Sequence, residues 1–217
     1  MTCYLDIETV ALPVAERQFL RPSEADVKLG NLKDETKIKA KIAEALQAWE
    51  RGDDAALDPL QARVALIGYA LDDGAVQHIH SEDEAEMLAQ FWQVVAPRGY
   101  DVEARMVGHN LRFDSTMLVT RSWVCGVTVP ANLLADLYQF APRHWLDTMT
   151  RFQVGNRQAD FRKLAHLCAA LGISVKDSSV TGATFGDWWA KDRAACLEYN
   201  RQDVEAVRQL WRRIGTP

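Results

Sequence analysis

The first apolar stretch of the chain reads YLDIET over residues 4–9 and carries two acids, Asp6 and Glu8. Successive side chains of a β-strand alternate between its two faces, so both carboxylates are expected on one face, about 7 Å apart. Burial and a neighbouring like charge each raise the pKa of a carboxyl group, which makes such a pair unfavourable without a positive partner. The stretch therefore predicts a core strand with a divalent cation beside it.

Two later stretches supply groups of the same kind. The first, VGHNLRFD over residues 107–114, is typical of an apolar strand that ends in a turn, and it offers Asn110 and Asp114. The second, YNRQD over residues 199–203, lies in a helical pattern, where i to i+4 spacing places Tyr199 and Asp203 on one face. Each pattern alone is common, but the three occur together, in order, on compatible elements.

Asp-x-Glu near the start, Asn-x-x-Phe-Asp in the middle and Tyr-x-x-x-Asp near the end resemble the three motifs of the DEDDy 3′→5′ exonucleases. This group belongs to the ribonuclease H-like superfamily, and the resemblance covers residue 1 to about residue 214. Three further stretches, at residues 33–34, 56–60 and 147–149, look like stand-alone exonucleases related to the proofreading domain of family-B DNA polymerases. A sister class has a histidine where this chain has Glu198, so the tyrosine class is the better match.

The resemblance implies an α/β fold with a ribonuclease H-like mixed β-sheet, in which three antiparallel strands and further parallel strands are flanked by helices. The patterns predict a hairpin over residues 64–80, a strand at 105–109 parallel to the first, and a short strand at 145–149. Helices are predicted at residues 35–51, 114–123, 161–171 and 192–214. A capping box of Ser81 and Glu84 is predicted to begin one more helix, which ends near residue 95.

The chain is interpreted as a single domain of residues 1–217 with an inserted helical segment at about residues 10–60. Proofreading domains usually join their first two strands by a tight turn, so this segment departs from the family pattern. Two interpretations are open: a lid or arm that grips the substrate, or a segment that packs against the edge of the sheet.

The resemblance also implies a site for two divalent cations, Mg²⁺ or Mn²⁺, which prefer hard oxygen ligands. Two such ions about 3.5 to 4 Å apart clamp the attacking and leaving oxygens during phosphodiester hydrolysis. By resemblance, Asp6 bridges both ions and Asp114 holds the second of them. Glu8 and Asp203 complete the site that activates water. Tyr199 orients the attacking water, because a phenol with a pKa near 10 is a poor base at neutral pH.

Four residues complete the candidate site as substrate contacts. Thr9 and Leu12 follow the first motif at offsets where proofreading domains touch the terminal base and sugar. Asn110 either contacts substrate or orients the turn that carries Asp114. Phe113 either stacks on a base or, as we favour, packs in the core.

Composition limits the remaining alternatives. The chain has 217 residues, 48% of them hydrophobic, which is typical of a folded globule. It contains no 18-residue apolar run and no basic-then-apolar start, so we expect neither a membrane span nor a secretory signal. Four scattered cysteines fit a cytoplasmic setting with reduced thiols. The pair His78 and His80 offers two metal ligands on one strand face but no third in sequence.

The net charge of −5 is unusual for a protein that binds nucleic acid. Cations in the acidic site would offset part of it, and local basic clusters are expected to contact phosphates. These candidates are Arg143-His144, Arg157, Arg162-Lys163 and Arg201.

The predicted function is metal-dependent 3′→5′ exonuclease activity on the 3′ end of DNA, single-stranded DNA above all. RNA is the alternative substrate, since related enzymes trim RNA with the same residues. A non-catalytic nucleic-acid-binding module that kept the fold is the alternative from another class.

Overall fold

A computed structural model describes residues 1–52, 54–96, 104–154, 161–174 and 178–215. Within these residues the chain has an α/β fold, in which a five-stranded mixed sheet is flanked by helices. The strands are β1 (Thr2–Ala11), β2 (Ala62–Leu71), β3 (Gln77–Ile79), β4 (Arg105–Gly108) and β5 (Trp145–Asp147). The helices are α1 (Glu35–Arg51), α2 (Glu84–Val95), α3 (Leu111–Val124), α4 (Ala131–Asp136), α5 (Thr148–Phe152), α6 (Leu164–Ala170), α7 (Phe185–Lys191) and α8 (Arg193–Ile214).

Strand β1 lies at the centre of the sheet, whose order is β3-β2-β1-β4-β5. β4 runs parallel to β1, and β5 runs parallel to β4. β2 and β3 are antiparallel. β1 and β2 also run in opposite directions, because Thr2 at the start of β1 is hydrogen-bonded to Asp72, just past the end of β2. The predicted mixed sheet of three antiparallel strands with further parallel strands is confirmed.

The chain divides into two compact units. Unit 1 comprises Met1–Glu8 and Val64–Pro217, and unit 2 comprises Thr9–Arg63. The helical segment predicted at about residues 10–60 falls within unit 2. Its helix α1 has the predicted bounds and ends at Gly52, whose left-handed conformation (φ 82°) suits a residue without a Cβ.

A buried arginine organises unit 2. Arg17 is 2% exposed and donates hydrogen bonds to the backbone oxygens of Leu12, Trp49 and Glu50. The latter two lie in the last turn of α1, where carbonyl groups run out of helical partners. The guanidinium group also lies 4.6 Å from the centre of the Trp49 ring. The buried side chain of Arg17 therefore caps the C-terminal end of α1.

Helix α2 begins differently from the prediction. Its N-cap is Asp83, whose carboxylate accepts hydrogen bonds from two N–H groups of the first turn. The Ser81 hydroxyl accepts from the backbone N–H of Asp83 instead. The predicted capping box of Ser81 and Glu84 is therefore wrong. Glu84 is buried beside Arg121, with 2.7 Å between Oε2 and Nη2, because the carboxylate finds a stronger, charged partner in the core.

Elsewhere, the observed helices and strands differ only slightly from the predicted ones. The segment at residues 125–145, which has no clear periodicity, contains α4, and β5 is followed directly by the short helix α5. Helix α6 is shorter than predicted, and α8 begins after its N-cap Asp192 as expected. Among the described residues, no helix has both the length and the apolar character that crossing a membrane requires.

Helix α8 packs on the face of β1 that carries the even-numbered residues. Tyr4 lies in a buried cluster with Val204 and Val207 of α8. Asp6, two residues further along the strand, contacts Asn200, one turn earlier in the helix. Glu8 shares this strand face. The N-terminal half of α8 therefore covers the end of β1 that carries the two acids.

Candidate metal centre

Three carboxylates, two from β1 and one from α8, meet where the helix packs on the strand. Asp6, Glu8 and Asp203 each offer an oxygen, and these atoms lie within 4.8 Å of one another. Glu8 is only 7% exposed, and the other two are half-buried. Strand alternation aims the first two acids at the helix, and the helical repeat brings the third to meet them. The structure thus brings together three of the four predicted acids.

Burial and mutual repulsion disfavour the charged forms of these acids. Burial raises the pKa of Asp6 well above its usual value, and the charges of Glu8 and Asp203 raise it further. The pKa of Glu8 is raised in the same way, by burial first and by Asp203 next. Burial raises the pKa of Asp203 to about 6. These are the shifts of acids packed together without a counter-charge.

Asp114 lies beside this group, although its carboxylate is not one of the three within 4.8 Å. The residue is 4% exposed, and its Oδ1 accepts a hydrogen bond from the backbone N–H of Ile7 at 3.2 Å. β1 pairs with β4 through residues 2–4, and further along the strand Asp114 accepts from the backbone N–H of Ile7 and so satisfies this donor. Burial raises the pKa of Asp114 to about 7, and its charge adds to the rise at Asp6.

The turn before α3 sets the position of Asp114. Asn110 adopts the left-handed conformation (φ 57°, ψ 40°), which asparagine tolerates better than most residues. The backbone N–H groups of Asn110 and Leu111 donate to the Asp147 carboxylate at 3.1 and 3.2 Å. Asp147 also accepts from the backbone N–H of Met149. The acid at the end of β5 therefore anchors the turn that leads to Asp114.

Tyr199 lies one helical turn before Asp203, and the two side chains lie close enough to influence each other's pKa. Burial raises the pKa of the Tyr199 hydroxyl, and the nearby carboxylates raise it further, Asp203 most among them. The phenol therefore keeps its proton at neutral pH. A phenol in this state can donate a hydrogen bond but is not available as a base.

The predicted substrate contacts are divided between the two units. Thr9 and Leu12 belong to unit 2, where the Thr9 hydroxyl donates to the Ala56 oxygen at 2.6 Å. The backbone N–H of Leu12 donates to the Gln61 oxygen at 2.8 Å. Phe113 is half-buried on α3 in unit 1. Their roles towards substrate stay predictions.

The predicted phosphate contacts differ in their surroundings. His144 is buried, with Nδ1 3.0 Å from the backbone oxygen of Ala104, so it is removed from the surface. Arg201 forms an ion pair with Glu198, with 2.6 Å between Nε and Oε2. Arg143 and Arg162-Lys163 are exposed, and Arg157 lies outside the described residues.

Sequence reasoning missed one residue of the site, Asn200. Its side chain is fully buried, and Nδ2 donates to Asp6 Oδ2 at 2.9 Å. The sequence does contain a sign of this role: Asn200 is a polar residue on a helical stripe that is otherwise apolar. Cys196 lies one turn before it, and Val204 and Val207 lie one and two turns after it, all of them buried.

The donor set fits a divalent cation. Carboxylate oxygens are the ligands that Mg²⁺ and Mn²⁺ prefer, and a cation would relieve the repulsion that raises the pKa values. Within the described residues, the acids Asp6, Glu8 and Asp203 form the one group of at least three potential ligands found this close together, and His78 and His80 gain no third partner. Comparison of the chain with protein-family models and with curated proteins gives no significant match.

Proposed function

We propose that the chain is a metal-dependent 3′→5′ exonuclease of the DEDDy type, which hydrolyses nucleotides from the 3′ end of DNA, single-stranded DNA above all. The observation that carries the proposal is the convergence of Asp6, Glu8 and Asp203, with Tyr199 one helical turn before the last of them and Asp114 alongside. These groups come from three separate segments of the chain. They are the five positions on which the resemblance to the three motifs depends.

The fold supports the same proposal. The order and directions of the five strands are compatible with a ribonuclease H-like fold. Such a sheet accounts for the geometry of the site, because the acids of β1 emerge next to the turn after β4. Helix α8 then covers that end of the strand from one face.

Each residue has a role that its surroundings support. Asp6, Glu8 and Asp203 would hold Mg²⁺ or Mn²⁺, and Asp114 would contribute from the side of α3. When bound, the cations would supply positive charge at the scissile phosphate. Tyr199 retains its proton, so it can donate a hydrogen bond to the water that attacks phosphorus. In the reaction, a bond forms between the water oxygen and phosphorus, and the bond from phosphorus to the 3′ oxygen of the preceding nucleotide breaks.

A degradation assay tests the proposal. A 5′-labelled single-stranded DNA is incubated with the full chain and Mn²⁺ or Mg²⁺, beside an RNA of the same sequence. We expect a ladder that shortens from the 3′ end of the DNA and disappears in EDTA. Asp203→Asn should reduce cleavage to background, whereas the matched control Asp187→Asn, at an exposed acid of α7, should cleave normally.

Two outcomes would contradict the proposal in different ways. Intact DNA and RNA after incubation with Mn²⁺ would refute nuclease activity and favour a binding module. Shortening of the RNA alone would refute the DNA substrate while it leaves the exonuclease mechanism in place.

A further inference from the structure

A buried amide with one unsatisfied atom lies against the metal centre. The Asn200 side chain donates from Nδ2 to Oδ2 of Asp6 at 2.9 Å and to the backbone oxygen of Asp6 at 3.2 Å. Its Oδ1 is buried and finds no hydrogen-bond partner among the residues that the structure describes. The reverse orientation of the amide would place Oδ1 against the backbone oxygen of Asp6, and both groups can only accept. This backbone oxygen therefore sets the direction in which Asn200 points.

This arrangement carries a cost that packing alone does not explain. A buried polar atom without a partner destabilises the folded protein, because it loses the hydrogen bonds it makes to water in the unfolded chain. An apolar side chain of the same shape would avoid that cost on the stripe of α8 that packs on the sheet. The amide instead donates its two hydrogen bonds to Asp6, and the side chain also lies near enough to Glu8 to lower the pKa of that acid. The proposed function needs both acids as ligands.

Gly68 of β2 provides the space for this amide. A Cβ atom built at Gly68 would lie 1.7 Å from Asn200 Oδ1 and 2.8 Å from Asn200 Cγ. Gly68 is not among the glycines with positive φ, so its backbone conformation is open to other residues. Glycine within a strand often marks the close approach of another group. The glycine is therefore needed here for space.

We propose that Asn200 is a positioning residue of the metal centre, which holds Asp6 in its cation-binding orientation, and that Gly68 admits it. The inference rests on the proposed metal-dependent function. With Oδ2 held by the amide, the carboxylate of Asp6 is fixed beside Glu8 and Asp203 although their charges repel it. Residues that orient metal ligands in this way typically contribute about 10- to 100-fold to metal affinity.

Asn200→Leu separates this role from packing, because leucine has nearly the same shape as asparagine and lacks the donor. We expect the variant to fold, because the shape of the side chain is kept, and to unfold in EDTA at a somewhat lower urea concentration than the wild type, because two oxygens of Asp6 lose their donor. Its Kd for Mn²⁺, measured by electron paramagnetic resonance of the free ion, should rise about 10- to 100-fold. The matched control is Gln202→Ala, because Gln202 lies on the same helix and its amide bonds to Glu198. Its Kd should stay that of the wild type.

A second pair of variants tests the role of Gly68. Gly68→Ala should weaken Mn²⁺ binding in the wild-type background, because the new Cβ displaces the amide. The same substitution in an Asn200→Ala background should change Mn²⁺ affinity much less, since Oδ1 and Cγ are absent. Additive effects of the two substitutions on affinity would overturn the pairing, because independent sites add and contacting ones do not.

The outcomes separate this inference from the proposed function. If the wild type binds Mn²⁺ and Asn200→Leu binds it equally well, the positioning role is overturned and the metal centre stands. If the wild type does not bind Mn²⁺, the proposed function falls, and the inference falls with it.

Discussion

Replacing Asp114 with asparagine is expected to stabilise the metal-free protein at alkaline pH. Asparagine keeps an oxygen that can accept from the backbone N–H of Ile7, as Asp114 Oδ1 does at 3.2 Å. Its amide nitrogen then faces acids that can accept a hydrogen bond. The substitution therefore removes a buried negative charge and preserves the bond that Asp114 makes to the strand.

The size of the effect follows from the pKa of Asp114, which burial raises from 3.8 to about 7. The unfolded chain ionises near the lower value, so between about pH 4 and pH 7 it releases a proton that the folded protein retains. Through this window the contribution of Asp114 to the free energy of unfolding of the wild type falls by on the order of 4 kcal/mol, and it is level above the window. The amide in the Asp114→Asn variant cannot ionise. The free energy of unfolding of the variant, relative to that of the wild type, should therefore increase by about 2 to 3 kcal/mol between about pH 5 and pH 8.

Urea unfolding in EDTA, followed by tryptophan fluorescence at both pH values, measures this difference. Excess Mn²⁺ at the higher pH should shrink or reverse the stability advantage of the variant, because a ligand stabilises most the protein that binds it most tightly and the wild type keeps all four acids. Asp136→Asn is the control, since the Asp136 carboxylate accepts from the backbone N–H groups of residues 143–145. It should destabilise the protein at both pH values, because an amide nitrogen would face one of these donors. A stability difference between Asp114→Asn and wild type that is the same at both pH values would refute the reasoning.

Two further predictions concern the core and the site. Glu84→Gln should lower the free energy of unfolding, measured by urea titration, by about 3 to 5 kcal/mol. The reason is that Glu84 forms a buried ion pair with Arg121 and also accepts from the backbone N–H of Val64. An effect no larger than that of Glu86→Gln, at an exposed position of the same helix, would contradict this prediction. Tyr199→Phe should slow single-turnover cleavage of DNA by about 10²- to 10³-fold, because the variant loses a positioned hydrogen-bond donor. Its Kd for Mn²⁺ should stay within about twofold of the wild-type value, because every carboxylate is kept. An unchanged cleavage rate would exclude the positioning role of this hydroxyl.

Much of the fold was predictable because it is encoded in neighbouring residues. The apolar run around Asp6 and Glu8 predicted a core strand, and the bounds of α1 followed from its helical periodicity and from Gly52. The capping box at Ser81 failed for the opposite reason. Spacing suggested a local partner for Glu84, but Arg121, 37 residues away, offers that carboxylate a charged partner in the core.

In the candidate site, too, the local features were predictable from the sequence and the long-range contacts were not. By itself, the sequence determined which acids share a strand face and which residues share a helix face, because the repeats of strand and helix act over a few residues. The tertiary structure alone decided that Asp114 bonds to Ile7 and that Asn200 fills the space at Gly68. Such contacts join residues more than a hundred positions apart, and they depend on how α3 and α8 pack on the sheet. No local pattern encodes that packing, so its consequences for Asp6 appear only in the folded protein.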